Sequence, residues 1–189
     1  MSRAHVATFY SYKGGVGRSL LLANVGAWLS TQGRRVLLWD LDLEAPGLHE
    51  IPRLQNSARP ARGFLEWVGT WSTQGRLPLT EARLAQLSAS VYSPPSLPHL
   101  FLLPAYGQGA DFGRLYYEVD WDAFLVRDPA AGLSMFRAAL DHLVQTLKLD
   151  HVLIDSRTGL TDLGGLLTAI LPHTRSEEHT SELQSPCNL

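Results

Sequence analysis

The stretch AHVATFYSYKGGVGRSL, residues 4–20, decides the fold of this chain. Its first seven residues are mostly β-branched and aromatic, which predicts a strand over residues 4–10. Three glycines fall within residues 11–19 and predict a loop. Residues 20–31 (LLLANVGAWLST) are apolar on most faces and predict a well-buried helix, which Gly33 ends.

A second strand follows this helix. Residues 35–41 (RVLLWDL) are almost continuously apolar, as is typical of parallel strands that are covered on both faces. Strand, glycine-rich loop, helix and strand therefore form one βαβ unit. Further along the chain, strands are predicted over 99–103 and 151–155, a loop or broken helix over 107–128, and helices over 63–68, 80–87, 129–147 and 160–171. This alternation predicts an α/β fold, a mostly parallel sheet with helices on both faces in a Rossmann-like three-layer arrangement.

Composition limits the class of protein. The 189 residues include 16 Lys+Arg and 18 Asp+Glu, and 45% are hydrophobic, which suits one ordinary folded domain. The net charge of −2 gives no basis for a strongly basic nucleic-acid binder. A single cysteine excludes a disulfide framework. Without a long apolar run or a signal peptide at the N-terminus, we expect a cytoplasmic protein.

The C-terminal segment differs from the rest of the chain. Residues 175–189 (RSEEHTSELQSPCNL) are polar and without periodicity, and residues 175–185 match one reading frame of a common sequencing adapter. We therefore expect residues 1–174 to be the native domain, incomplete at its C-terminal side, and residues 175–189 to be a non-native tail. A natural polar tail is the alternative. The only cysteine, Cys187, lies in this segment.

The glycine-rich loop has the features of a phosphate site. Residues 13–19 (KGGVGRS) follow a strand and open a helix, and their glycines let backbone N–H groups converge on an anion. The helix N-terminus adds its positive dipole end, Arg18 adds a charge near the β- and γ-phosphates, and the Ser19 hydroxyl can coordinate Mg²⁺. A glycine-rich turn without a ligand is the alternative. The predicted nucleotide-binding residues are Gly14, Gly15, Val16, Gly17, Arg18, Ser19 and Leu20.

Three aspartates stand at the carboxyl ends of predicted strands. Asp40 and Asp42 close the second strand, and Asp155 closes the strand over 151–155. Open α/β sheets bind ligands at that end, so these carboxylates are expected near the phosphate site. An aspartate after an apolar strand is also the Walker B pattern, in which the carboxylate holds Mg²⁺. Alone, each aspartate could be an ordinary polar end to a strand.

The loop resembles the deviant Walker A motif, KGGxGK[ST], of the ParA/MinD family of ATPases, which belong to the SIMIBI class of P-loop NTPases. The resemblance covers residues 4–174, and variants with KGGVGR form a subgroup of the family. There are two departures, because Arg18 replaces a lysine and Leu20 replaces a frequent threonine. Asp40 and Asp42 resemble the DxD element of the family, and residues 155–159 (DSRTG) resemble its DxPxG element.

This resemblance implies a function. It implies Mg-ATP binding and slow hydrolysis that drives a dimerisation switch in intracellular positioning, partitioning or signalling. Lys13 then reaches the partner's nucleotide across an ATP-dependent homodimer, Asp42 orients the attacking water, and Arg18 neutralises phosphate charge. The implied Mg²⁺ ligands are Ser19, Asp40 and Asp155. A protein partner is also implied, whereas nothing in the sequence itself indicates contact with DNA or a membrane.

Other functions remain open. Because Arg18 departs from the motif, a non-hydrolysing nucleotide-sensing module of a larger bacterial signalling or defence protein is the main alternative. A synthetase or kinase of the same superfamily is another. A reductase like the nitrogenase iron protein is set aside, since the native part lacks the cysteines for a cluster.

Several aromatic and basic residues are expected to be structural. Trp28 and Trp39 fall on predicted buried elements and are assigned to the core. For the later aromatic residues, core packing is preferred to a partner-binding patch: Trp67, Trp71, Tyr116, Tyr117 and Trp121. Arg53, Arg59 and Arg62 are interpreted as a solvated face rather than a DNA contact.

Overall fold

The computed structural model describes residues 4–11, 15, 17–43, 45–73, 79–122, 126–156 and 174–178. The described strands are β1 (His5–Ser11), β2 (Val36–Leu41), β3 (Leu100–Leu103), β4 (His151–Ser156) and β5 (Thr174–Glu178). The described α-helices are α1 (Arg18–Thr31), α2 (Phe64–Thr73), α3 (Glu81–Ser88), α4 (Phe112–Glu118) and α5 (Pro129–Leu147). Two short 3₁₀ helices, Leu48–Glu50 and Pro52–Leu54, follow β2.

The strands form one parallel sheet in the order β3-β2-β4-β1-β5. β4 lies between β1 and β2, so α1 connects two strands that are not neighbours. The register places Asp155 of β4 opposite Phe9 of β1 on one side and Asp40 of β2 on the other. The predicted α/β fold with a parallel sheet is therefore confirmed, and the carboxyl ends of its strands meet at one edge.

Both faces of the sheet are covered, which explains why β2 is apolar along its whole length. On one face, Trp39 packs against Phe64 of α2 and Phe136 of α5, with ring centroids 5.5 and 6.3 Å apart. On the other face, Leu38 packs with Leu22 of α1. Every residue of β2 is buried, as expected for a strand between two layers of helices.

Helix ends follow local capping rules. The Thr80 side chain accepts a hydrogen bond from the Arg83 amide and caps α3, as its position before the helix predicts. Asp128 caps α5 in the same way, with Pro129 as the first helical residue. Within the predicted broken segment 107–128, α4 is a short helix that Asp111 caps.

The assignment of Trp28 to the core is wrong, because this side chain is 62% exposed. Leu20 and Leu21, on the same helix, are also at least half exposed. α1 packs closely on the sheet only along the side that contains Gly26, where an added Cβ would lie 2.5 Å from Leu38 Cδ2. A helix that is apolar on most faces is therefore buried here on one face alone. Trp39 is fully buried, as predicted.

Most of the later aromatic residues pack in the core, as predicted. Trp67 and Trp71 are buried, and Tyr116 and Trp121 pack against the same cluster. Tyr117 is the exception, since its side chain is exposed. Of the basic residues, Arg53 and Arg62 are exposed, while the Arg59 guanidinium lies over the Tyr106 ring, 5.5 Å from its centroid.

One strand in the C-terminal part of the chain was not predicted. β5 pairs in parallel with β1 through residues 174–178, so it includes the first residues of the segment expected to be non-native. A polar segment can occupy this place because strand pairing uses backbone N–H and C=O groups. That residues 175–189 are non-native stays a prediction. The predicted helix over 160–171 lies outside the described residues, and no helix in the described part is long and apolar enough to cross a membrane.

Gly107 is packed so closely that a side chain at this position should destabilise the fold. A Cβ added there would lie 2.1 Å from the carbonyl oxygen of Ala61 and 2.5 Å from the Arg62 amide nitrogen, both backbone atoms. The Gly107 N–H also donates to the Glu66 carboxylate at 2.9 Å. We expect Gly107→Ala to lower the free energy of unfolding by about 1–3 kcal/mol.

Gly69, inside α2, is the matched control. An added Cβ there would meet only Val119 Cγ2, at 3.7 Å. Removing a helix-interior glycine without a clash should raise stability by about 0.5–1 kcal/mol. Urea unfolding of both variants and the unchanged protein measures the two effects. Equal stability of the two variants would contradict the close approach at Gly107.

Candidate active site

The candidate site lies at the carboxyl edge of the sheet. β1 ends at Ser11, Asp42 follows the end of β2, and Asp155 is the penultimate residue of β4. Because these strands are parallel and adjacent through β4, their ends meet beside the N-terminus of α1. The structure thus brings together Arg18, Asp42 and Asp155, three of the residues that the sequence selects.

The described part of the glycine-rich loop leaves room for an anion. Gly15 and Gly17 adopt φ values of 75° and 85°, a left-handed conformation that L side chains rarely adopt, and among the described residues an added Cβ on either would meet no non-adjacent atom within 4 Å. Gly17 precedes α1, whose N-terminus has neither a side-chain cap nor an acidic residue in its first turn. These features fit a phosphate cradle. Lys13, Gly14 and Val16 lie outside the described residues.

Arg18 is the central cation of the site. Its Nε donates to Asp155 Oδ1 at 2.7 Å, and its Nη2 donates to Asp42 Oδ2. The side chain is only 9% exposed. Burial lowers the pKa of Arg18, but the charges and hydrogen bonds of Asp155 and Asp42 outweigh this effect and raise it above its ordinary value. Arg18 therefore stays charged between two carboxylates.

Asp42 links the site to the loop after β2. Its Oδ1 accepts a hydrogen bond from the Ala45 amide at 3.3 Å, while its other carboxylate oxygen accepts from Arg18. The residue is buried. Its carboxylate is thus held at the sheet edge from two sides, as a group that must orient a water molecule requires.

Asp40 is buried completely beneath the same edge. Its Oδ2 accepts from the Leu48 amide at 3.2 Å, and its Oδ1 has no hydrogen-bond partner. Burial, together with the charges of Asp155 and Asp42, raises the pKa of Asp40 well above its ordinary range. A cation bound near this carboxyl would act in the opposite direction, because a nearby positive charge favours the ionised form.

The oxygen atoms at this edge suit Mg²⁺. Ser19 lies close enough to the Asp155 carboxylate to lower its pKa, and the unpartnered Asp40 Oδ1 is a third oxygen nearby in the sheet. Carboxylate and hydroxyl oxygens are the ligands that Mg²⁺ takes, with water and substrate phosphates completing its octahedron. Within the described ranges, no group of three or more His, Cys, Asp or Glu residues forms a metal cluster by itself.

Ser11 is a site residue that the sequence analysis missed. It is the last residue of β1 and is buried, and its Oγ accepts a hydrogen bond from Arg18 Nη1 at 3.2 Å. The sequence analysis placed this serine in the glycine-rich loop rather than in the preceding strand. The alternation of side chains along β1 could have indicated it, since residues two apart on a strand share a face. Arg157 and Gly159, next to the Walker B aspartate, lie outside the described residues.

Comparison with protein families gives one match. The profile of the CbiA family, the CobQ/CobB/MinD/ParA nucleotide binding domain, matches residues 7–185. No curated protein is significantly similar to the chain.

Solved structures with the same fold include three of intermediate similarity. An ATP complex of a Cyanothece McdA variant is 21% identical with a TM-score of 0.58, and the alignment covers 89% of this chain and 54% of that one. The MinC:MinD cell division complex of Aquifex aeolicus is 22% identical with a TM-score of 0.57, covering 87% and 52%. The Pyrococcus furiosus cell division ATPase MinD is 22% identical with a TM-score of 0.53, covering 87% and 55%. The chain thus spans about half the length of these structures, with which it shares the fold.

Proposed function

The chain belongs to the CobQ/CobB/MinD/ParA nucleotide binding domain family, and from that membership and the site geometry we propose that it binds Mg-ATP and hydrolyses it slowly. One observation supports this most directly. Arg18 and the carboxylates of Asp42 and Asp155 meet at the sheet edge, beside an open loop with left-handed glycines at positions 15 and 17. Phosphoryl transfer needs this combination of anion cradle, cation and metal-binding carboxylate.

The nucleotide phosphates bind in the loop 13–19. Backbone N–H groups around Gly14, Gly15, Val16 and Gly17 and the first turn of α1 surround them, with Leu20 completing the turn. Arg18 contributes the charge that lysine contributes in the common motif, but through a planar guanidinium with several donors. The proposal of ATP rather than GTP rests on the family resemblance.

Ser19 and Asp155 would hold Mg²⁺, with Asp40 in its shell. When bound, the ion neutralises charge on the β- and γ-phosphates. Asp42 orients the attacking water at the open side of the site, where its carboxylate is already fixed by the Ala45 amide. The chain's own contribution is positioning and fixed charge, which act most strongly where bulk water is excluded.

ATP binding drives formation of a homodimer, in which Lys13 reaches the partner's nucleotide. This switch serves positioning, partitioning or signalling through a protein partner. One of the similar solved structures is a complex of two different proteins, MinC and MinD, and another contains ATP. The partner protein and the bound ATP are those of the solved structures, and we propose the same two kinds of contact for this chain.

The deciding experiment measures ATP binding by calorimetry and phosphate release on the purified protein, with and without Mg²⁺. We expect Mg²⁺-dependent binding, slow turnover and a larger species by light scattering when ATP is present. GTP, tested in parallel, separates the two nucleotides. If neither nucleotide binds, the proposal fails.

A substitution at Lys13 tests the dimerisation role. Lys13→Ala should reduce ATP-dependent dimerisation by about tenfold or more while ATP binding changes little, because the lysine is proposed to contact the partner's nucleotide. Lys148→Gly is the control, since Lys148 lies before β4, at the opposite edge of the sheet, with a φ of 50° that glycine accepts. Equal losses of dimerisation and ATP binding in Lys13→Ala would remove Lys13 from the interface.

A non-hydrolysing nucleotide sensor is the second candidate function. The contact of Arg18 with Asp42 favours it, because that contact occupies the carboxylate proposed to orient water. Such a protein would bind ATP and dimerise without releasing phosphate. The same turnover measurement therefore separates the sensor from the ATPase.

A further inference from the structure

Three neighbouring strands hold the Arg18 guanidinium at once. Nε donates to Asp155 of β4, Nη1 donates to Ser11 of β1, and Nη2 donates to Asp42 after β2. Arg18, Asp42 and Asp155 are all buried, with side chains at most 9% exposed. Each of the three guanidinium nitrogens thus has a protein acceptor. We call this set of contacts the Arg18 clamp.

The clamp uses the groups that nucleotide hydrolysis needs. Asp155 is the proposed Mg²⁺ ligand, Asp42 is the proposed water-orienting group, and Arg18 is the proposed phosphate contact. Two buried carboxylates side by side need a cation between them, because an uncompensated buried charge is strongly unfavourable. Arg18 is that cation in this structure.

We propose that the Arg18 clamp is an autoinhibitory contact, in which Arg18 stays paired with Asp42 and Asp155 until Mg-nucleotide displaces it. This inference rests on the proposed function and adds a regulatory step to it. Mg²⁺ supplies the positive charge to Asp155 on loading, and the γ-phosphate offers Arg18 a new acceptor. Opening of the clamp then precedes productive binding, so the clamp slows nucleotide association.

Arginine is required for this device. Its planar fork places separate donors toward two carboxylates and a hydroxyl, as the three contacts show. Lysine has one nitrogen on a flexible stem and cannot span the same three acceptors with comparable geometry. Arg18 stands where the common motif has lysine. It can therefore contact phosphate, as the lysine does, and can also form the clamp.

The first test compares nucleotide association rates by stopped-flow with a fluorescent ATP analogue and Mg²⁺. Loss of one charged hydrogen bond should make Arg18→Lys associate about tenfold faster than the unchanged protein. Ser11→Ala keeps both carboxylates paired and should give a smaller change in the same direction, which Ser11→Thr reverses. Arg127→Lys, in an exposed ion pair with Asp120, should leave the rate unchanged. Association of Arg18→Lys at the unchanged rate, or slower, would overturn the clamp.

The second test uses Mg²⁺ alone and needs no nucleotide. Thermal unfolding of the unchanged protein should respond little to millimolar Mg²⁺, because Arg18 already occupies an oxygen atom of each carboxylate. Arg18→Lys keeps the positive charge but cannot span both carboxylates, so one of them is left without a cationic hydrogen-bond partner and Mg²⁺ should raise the Tm of this variant. A Tm that responds equally in both proteins overturns the clamp.

These two tests separate the clamp from the proposed function. If no protein binds ATP or GTP, the proposed function fails, while the Mg²⁺ titration still decides whether Arg18 occupies a cation site. If nucleotide binds but neither the association rate nor the Mg²⁺ response changes in Arg18→Lys, the clamp alone fails. Should Arg18→Lys not fold, the association rate of Ser11→Ala decides, and a rate equal to that of the unchanged protein overturns the clamp.

Discussion

Asp42→Ala is expected to lower ATP turnover by about 100-fold or more while ATP stays bound, because a positioned carboxylate of this kind contributes that much to proton transfer or water orientation. The side chain is buried at the end of β2 and is fixed by the Ala45 amide, so its place in the site is well defined. None of the phosphate contacts proposed for the loop uses Asp42. Its removal should therefore slow the chemical step without weakening ATP binding, and nucleotide association should become faster because one contact of the Arg18 clamp is lost.

The measurement combines phosphate release with calorimetric ATP binding on the same preparation. Asp42→Asn keeps the shape of the side chain and should lose turnover nearly as fully, since the charge is what the attacking water needs. Asp120→Ala removes an exposed carboxylate that is paired with Arg127 and should leave both readouts unchanged. Full residual turnover in Asp42→Ala would exclude Asp42 from the mechanism.

Asp155→Ala is expected to have the largest effect on stability, lowering the free energy of unfolding by about 3 kcal/mol, the lower range for breaking a buried ion pair. Asp155 is buried in β4 and its Oδ1 accepts from Arg18 Nε at 2.7 Å. The substitution also removes the proposed Mg²⁺ ligand. Mg²⁺-dependent nucleotide binding should be lost together with the stability.

Urea unfolding and nucleotide binding with and without Mg²⁺ check this expectation. Asp120→Ala again serves as the control, because its ion pair is more than half exposed on both sides and should be worth about 1 kcal/mol or less. Asp155→Asn keeps the acceptor for Arg18 and should recover part of the stability but not the Mg²⁺ dependence. Nucleotide binding by Asp155→Ala that still depends on Mg²⁺ would show that another residue holds the ion.

The main strands and helices could be predicted from local pattern because each has a strong periodic or apolar signal. The helix predicted over 129–147 coincides with α5, and β2 and β4 differ from their predicted ranges by one residue. Short helices such as α2 were predicted too short, since they depend on packing against α4 and α3 more than on their own sequence. The exposed position of Trp28 was missed because composition does not tell which face of α1 meets the sheet.

The sequence selected residues that meet at the candidate site, but it did not specify their contacts. Arg18, Asp42 and Asp155 were chosen from a loop motif and two strand ends, and the structure brings them within hydrogen-bond distance. Ser11 was missed, and so was the bond from the Leu48 amide to Asp40. Both depend on residues that are distant in sequence or on the direction of a side chain, which local pattern does not specify.

The sequence by itself determined the class of the fold and selected the residues proposed to bind phosphate, because hydrophobic periodicity and a glycine-rich turn before a helix are local properties. Only the tertiary structure decided that β4 lies between β1 and β2, and so that Ser11, Asp42 and Asp155 face one guanidinium. The reason is physical: strand order follows from long-range packing and from the handedness of crossover connections. The contacts that Arg18 makes with the two buried carboxylates therefore depend on this strand order.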